Sequence, residues 1–271
     1  MYKIKPIQRI ICLTEETTET LYNLNLDHLI VGVTRYTFRP PIARKEKPKV
    51  SGYIDAKFDK IIALKPDLVI TWSDLQADIT SELIKRGIEV ICFNHRDING
   101  ILSMIYKLGS LLNESQKAEI YVNTLIEKLE NVKLIGENRE NKPKVYFEEW
   151  FDPIISGITW VSEIIELCGG IDIYEKNRYN FLAKDRIVEN QNEIIEHDPD
   201  IILASWCGKK FQKNQLINRD GWDKIKAVKN NQIFEIKSEI ILQPGPASIT
   251  DGIDIILSIY NNWENKIKIK Q

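Results

Sequence analysis

Two distant stretches of this chain echo each other. Residues 65–74 read KPDLVITWSD, and residues 198–208 read DPDIILASWCG. Each places Pro-Asp after a helix-patterned segment, then an apolar run, then a Trp. Proline lacks an N–H and restricts the residue before it, so it ends the preceding helix. A continuous apolar run suits a strand covered on both faces. Each stretch is followed by further helical pattern and another short apolar run, at 88–93 and 232–236. A chain that carries such a unit twice is constrained to two α/β lobes of related construction.

The rest of the chain fits that frame. Short β-rich runs at 9–13, 29–33, 68–72, 90–93, 144–147, 201–206 and 232–236 predict strands. Helical pattern falls at 16–22, 58–64, 76–86, 162–168, 193–197 and 221–228. Alternating strands and helices argue for α/β lobes with mostly parallel sheets. One segment breaks the alternation. From Asn99 to about Val132, apolar residues recur near a 3.6 spacing (Ile101, Ile105, Leu108, Leu112, then Leu125 and Leu129) with no internal Pro. This predicts a long connecting helix that Asn113-Glu114-Ser115 could break or cap. The expected division is a first lobe over 1–98, a connector over 99–135 and a second lobe over 136–271.

Charge and composition remove whole function classes. Lys+Arg is 37 and Asp+Glu is 39 among 271 residues, a net charge of -2, so a groove dominated by phosphate contacts is excluded. At 43% apolar the chain is not of a disordered composition. No run approaches the roughly 18–20 apolar residues of a membrane span. The N-terminal apolar run is only Ile10–Leu13, too short for a secretory h-region. The expected location is therefore cytoplasmic, or periplasmic or cell-surface if the chain is a mature form. The four cysteines, Cys12, Cys92, Cys168 and Cys207, show no CxxC and are expected to be reduced. With His28, His95 and His197 they make no zinc spacing, so no metal site is expected. Neither GxGxxG nor GxxxxGK[ST] occurs.

In open α/β sheets, ligands bind beyond the carboxyl ends of the strands. Those ends hold Thr14, Glu15 and Glu16, then Arg35–Arg39, then Trp72, Ser73, Asp74 and Gln76, then Asn94, His95 and Arg96. In the second half they hold Glu148–Phe151, Trp206–Lys209 and Gln243–Pro246. Trp72, Trp150 and Trp206 all fall at predicted strand C-termini, which suits a flat, mostly apolar ligand. The alternative is that each Trp fills core space. Catalytic readings have less behind them. Glu148 and Glu149 are adjacent, so on a strand they point to opposite faces. Cys207 with His95 could form a nucleophile–base pair, and Lys209 could lower the Cys207 pKa.

The order of these pieces resembles a known family. VGVTRYTFRPP, FDKIIALKPDLVITW, YFEEWFDPIISGITWVSEIIELCGG and DPDIILASWCG look like the substrate-binding proteins of iron-siderophore and vitamin B12 ABC importers, the B12-binding branch most of all. The resemblance runs from about Arg9 to Tyr260. It implies two Rossmann-like lobes joined by a single long helix, with a ligand cleft between them, and a non-enzymatic binding function. Carried over by position, Tyr36 and Trp72 fall where that branch places aromatics against the corrin ring. Phe151 or Trp150 and Trp206 would close the site from the second lobe. The full candidate set is Tyr36, Arg39, Trp72, Gln76, His95, Glu149, Trp150, Phe151, Trp206, Cys207, Lys209 and Gln243. No cofactor is implied beyond cobalamin or another metal chelate as ligand.

Three departures stand out. No leader or lipobox is visible. The acidic residues that meet permease arginines in the family correspond to Asp59 in the first lobe and to Asn192, beside Glu193, in the second. An amide there cannot replace an ion pair. Finally, WSDLQ, EEW, SWCGKKF and LQPGP make the expected site unusually polar and resemble a leaderless branch commonly labelled cobalamin-binding. The resemblance thus implies a small-molecule ligand, an ABC permease as a partner in doubt at Asp59 and Asn192/Glu193, and a monomer. The other readings are a siderophore, haem or anionic metabolite on the same fold, and an intracellular enzyme or metallochaperone using Glu149 and Cys207.

Overall fold

The computed structural model describes residues 4–270. The chain divides into two compact units. The first runs to His95 and resumes over Asn99–Thr124; the second takes Arg96–Ile98 and everything from Leu125. Each is described by itself.

The first unit alternates strands and helices: β1 (Ile10–Cys12), α1 (Glu15–Asn23), β2 (Ile30–Thr34), α2 (Pro41–Glu46), β3 (Lys49–Ser51), α3 (Phe58–Ala63), β4 (Leu68–Trp72), α4 (Ala77–Lys85), β5 (Val90–Phe93) and α5 (Ile98–Leu111). Its five strands are parallel, in the order β3-β2-β1-β4-β5. The order reverses between β1 and β4, so their carboxyl ends flank the switch point where an open sheet binds ligands. Every residue of β1 and β4 is buried, as a central strand covered on both faces requires. Ile11, Leu13, Val50, Ile61, Val69, Ile79 and Leu83 form the core.

Helix α6 (Ser115–Glu137) carries the chain onward, and the division between the units falls within it. The connector is therefore not one helix from 99 to 135. The chain turns at Asn113, whose φ of 60° is left-handed, and the Glu114 N–H bonds back to the Gly109 carbonyl. A Cβ on Gly109 would collide with that of Ala118, so glycine admits the close approach of α6 to α5. All of α5 but its first residue, in the stretch expected to form the connector, falls in the first unit.

The second unit holds β6 (Lys144–Phe151), β7 (Ile154–Ser156), α7 (Thr159–Leu167), β8 (Ile171–Asp172), α8 (Asn192–His197), β9 (Ile201–Ala204), α9 (Lys213–Ile217), α10 (Lys226–Lys229), β10 (Ile233–Glu235), α11 (Ser238–Ile241) and α12 (Ile253–Lys270). The sheet runs β10-β9-β6-β7, with β8 also on β6. All pairings are parallel except β6 with β7. Its order also reverses beside β6, so the ends of β6 and β9 form the matching switch point. Tyr146, Ile194, Ile202, Leu216, Trp222 and Ile225 pack its core. Gly169, with φ of 87°, ends α7, and its backbone lies against that of Gly136, where a side chain on either would clash.

The echo recurs in the backbone bonding, shifted by one residue at the carboxylate. The Asp67 N–H donates to the Arg9 carbonyl (2.8 Å) and its carboxylate accepts the Gln8 N–H (3.0 Å). In the second unit the Asp200 N–H donates to the Lys144 carbonyl (2.8 Å) and its carboxylate accepts the Lys144 N–H (2.9 Å). Each Pro-Asp thus pins the start of its lobe's central strand. The helix before each Pro ends through a left-handed residue, Lys65 (φ 46°) and Asp198 (φ 47°), rather than through the extended conformation expected before proline.

Other expectations shift. Strand β6 reaches Phe151, because β7 supplies pairing partners for Glu148, Trp150 and Phe151. Strand β9 stops at Ala204. Residues 221–228 form a short 3-10 turn and α10, not one helix. Strands β3, β7 and β8 have two or three residues each, too few for a periodic signal, and neighbouring strands hold them. Helix α12 is legible in the sequence: Ile253, Ile256, Tyr260 and Trp263 recur at helical spacing, continuing from Ile249 in the π-helical turn Ser248–Gly252, and all are buried.

Candidate ligand-binding site

In the first unit, Trp72 ends β4 and is 4% exposed. Its indole N–H donates to the His95 carbonyl (3.2 Å), and its backbone N–H donates to Gln76 Oε1 (3.0 Å). The Gln76 amide donates to the carbonyls of Leu13 (3.1 Å) and Tyr53 (2.9 Å). One fully buried glutamine therefore ties the ends of β1 and β4 to the loop after β3, and fixes the Trp four residues before it. Ser73, between them, has φ of 64°, and its hydroxyl caps the turn by accepting the Leu75 N–H (3.3 Å). The His95 ring stands edge-on to Trp72 and Phe93, with centroids 6.2 Å from each. Tyr36 is 40% exposed, beneath the Arg35 guanidinium at 5.8 Å; Arg35 is itself paired with Asp55.

Helix α1 carries groups absent from the candidate set, Glu15 and Glu16 in its first turn and Glu19 one turn on. Glu15, Glu16 and Glu19 are buried. Glu15 Oε1 accepts the backbone N–H groups of Phe38 (2.5 Å) and Arg39 (2.8 Å), and Arg39 Nε donates to Glu19 Oε1 (2.9 Å). Burial pushes Glu15 up to about 8 and Glu16 up to about 7. The available signal was the acid-rich EETTET directly after a predicted strand.

The second unit is built differently. Glu148, fully buried, accepts from the Tyr146 hydroxyl (3.0 Å), the Trp206 indole N–H (3.0 Å) and Arg219 Nη2 (3.0 Å). Arg219 also donates to the Phe151 carbonyl (3.1 Å) and lies 4.6 Å over the Trp222 ring. Glu149 takes Arg186 in two bonds, at 2.6 and 3.2 Å. The two adjacent glutamates meet different arginines, in keeping with the opposite faces expected of neighbours on a strand. Neither arginine was found from sequence, because each lies tens of residues from its partner.

Beside these pairs runs an aromatic chain. Ring centroids are 5.2 Å apart for Trp150–Phe151, 4.8 Å for Phe151–Trp206 and 5.0 Å for Trp206–Phe211. Lys209 Nζ caps the Phe151 ring at 3.7 Å. Trp206 is 2% exposed, whereas Trp150 and Phe151 are half-buried. Gln243 is half-buried and lies outside this chain of contacts, its carbonyl accepting the Gly245 N–H (2.8 Å).

The catalytic expectations fare poorly. Cys207 is an exposed residue, yet protein packed around its thiol pushes it up to about 11, with Glu149 adding to the rise. The lowering expected from Lys209 is corrected: that ammonium sits on the Phe151 ring. The thiolate needed for nucleophilic attack is thus disfavoured at neutral pH. Among the described residues the cysteines are free, and no group of three or more His, Cys, Asp or Glu could hold a metal ion. No described helix is long and apolar enough to cross a membrane.

Comparison with known proteins bears on this arrangement. A vitamin B12-binding protein of Vibrio campbellii is 28% identical, covering 88% of this chain and 84% of its own. An ABC transporter substrate-binding lipoprotein of Bacillus subtilis is 27% identical over 94% of this chain and 81% of its own. Among solved structures, a periplasmic haem-binding protein from Roseiflexus superposes with a TM-score of 0.81 at 19% identity, covering 95% and 99% of the two chains. The periplasmic vitamin B12-binding protein of Vibrio cholerae does so at 0.75 and 21%, covering 96% and 98%. Such likenesses establish the two-lobed α/β fold, and none of these names supports the cytoplasmic expectation. The model of the periplasmic binding protein family matches residues 10–240. With that span matched and both sheets built as described, the chain belongs to the periplasmic binding protein family.

Proposed function

We propose that this protein binds a corrinoid, or a metal chelate of similar planarity, without catalysis, and delivers it to an ABC permease. The observation that carries this reading is the aromatic chain Trp150–Phe151–Trp206–Phe211 at the ends of β6 and β9. Burial of a large planar apolar face against stacked rings is the main source of affinity for such a ligand. The vitamin B12-binding names of several relatives agree with it. In this reading Tyr36, Phe151 and Trp150 meet the ring. Trp72, Gln76, Trp206 and Glu149 hold the neighbouring backbone and side chains in place. Arg39, His95, Cys207, Lys209 and Gln243 border the ligand. Asp59 and Asn192, exposed at the first turns of α3 and α8, with Glu193 beside Asn192, would face the permease. The working location would be outside the cytoplasmic membrane, as for the lipoprotein relative, and the protein would act as a monomer.

Titration with hydroxocobalamin, followed by visible absorbance and tryptophan quenching, should saturate at one equivalent. Absence of binding at about 100 μM would sink the corrinoid reading. A haem or anionic siderophore is the second reading, favoured by the haem-binding fold neighbours and by the Lys209 cation.

A further inference from the structure

The first turn of α1 is the least satisfied polar region at either switch point. Glu15, Glu16 and Glu19 are 2%, 1% and 6% exposed. Arg39 serves Glu19, and two backbone N–H groups serve one oxygen of Glu15. Glu15 Oε2 and Glu16 Oε1 are buried and accept no hydrogen bond among the described residues. Thr37 adds a separate observation. It is fully buried, its hydroxyl has no partner, and it lies in the segment whose next two N–H groups clasp Glu15. A buried polar group left unpaired bears its full desolvation penalty, so three such atoms at the end of a central strand point to a missing partner. Among the described residues no group of three or more His, Cys, Asp or Glu is placed to hold a metal ion, which favours a hydrogen-bond donor as that partner. An ionised carboxylate is acceptor-only and needs an N–H or O–H opposite it, whereas a protonated one also donates.

We propose that the α1 acid pocket receives an N–H donor group on the ligand edge, a primary amide or a protonated amine, and rejects chelates edged by carboxylates. Once the two acids are ionised, above about pH 8, a second carboxylate would bring acceptor to acceptor and like charge to like charge in a water-poor site, so the comparison is run there. The proposal rests on the reading that the strand ends carry the ligand, and it deepens that reading by selecting among chelates.

The experiment compares four probes by calorimetry: cobinamide (amide-edged corrin), cobyrinic acid (the same corrin edged by carboxylates), ferrioxamine B (a siderophore with a protonated amine) and haem (carboxylate-edged). The wild type should bind an N–H-edged probe at least tenfold more tightly than its carboxylate-edged counterpart. Glu16→Gln should shrink that ratio about tenfold, the scale of one charge-assisted hydrogen bond. Glu15→Gln is the second variant, and the wild-type ratio stands as a test should neither fold. Ferrioxamine B binding without cobinamide binding, sensitive to Glu16→Gln, supports the acid pocket and ends the corrinoid reading. Cobyrinic acid or haem binding as tightly as cobinamide, with a ratio that the substitutions leave unmoved, overturns the acid pocket and leaves chelate binding intact. Binding of none of the four overturns both.

Discussion

The two switch points share a backbone plan and differ in how they handle charge. At the second, both carboxylates on β6 lie against guanidinium groups, Glu148 fully buried on Arg219 and Glu149 half-buried on Arg186. The result is a neutralised platform on which aromatic rings stack. At the first, Glu15 and Glu16 form no ion pair among the described residues, and burial holds their protons on toward neutral pH. A repeated fold thus does not imply a repeated site. Main-chain geometry set by Pro-Asp and parallel pairing recurs, while the side chains at the strand ends differ, a run of stacked rings at one and buried acids at the other.

The largest way to break the contrast is to strip the second site of its compensation. Arg219→Ala leaves Glu148 buried without its cation, and chemical denaturation should show a loss of about 3–5 kcal/mol. A loss below about 1 kcal/mol would mean that the pair does not neutralise the platform. Phe151→Ala removes the ring between Trp150 and Trp206. It should weaken hydroxocobalamin binding about 10–100-fold, with Trp206→Ala costing stability as well because that indole is buried and bonded to Glu148. Equal affinity in the Phe151 variant would move the ligand elsewhere.

The first site answers to pH. Glu15 and Glu16 have folded pKa values above those of an exposed glutamate, so the folded state holds more protons than the unfolded state from about pH 4.5 to 8. Stability therefore falls as pH rises through that window. Glu163 and Asp172, also raised by burial, act in the same direction. Asp55, Asp67 and Asp198 are lowered and act only below about pH 4. Melting temperature should drop between pH 5 and 8, and Glu16→Gln should flatten the slope. A profile that is flat or rises in this range would contradict the contrast. The smallest effect tests the shared plan instead. Asp67→Ala and Asp200→Ala each remove the carboxylate that receives a strand-start N–H, and both should lose under about 1 kcal/mol by similar amounts. Unequal losses would show that the echo is only a likeness of sequence.

Much of the architecture was legible because its signals are local. KPDLVITW and DPDIILASW each carry a helix end, a buried strand and the residue at its tip within ten positions, and β4 and β5 appear with their expected bounds. The site was legible in part. Trp72, Trp206, Glu149 and Phe151 were marked by lying just beyond or at strand ends. Gln76 was marked only as a polar residue after β4; that it clamps β1, β4 and the loop after β3 depends on carbonyls 23 and 63 residues away. Arg186 and Arg219 sit in irregular or short segments with no pattern, and pairing over 37 and 71 residues is invisible along the chain.

Sequence alone determined the two-lobed α/β plan and the matched strand tips, since periodicity and proline stops act over a few residues. Only the tertiary structure decided which charges are compensated. Whether a carboxylate is paired, protonated or left waiting for a donor depends on what the fold brings within about 3 Å of it and on how much water it removes.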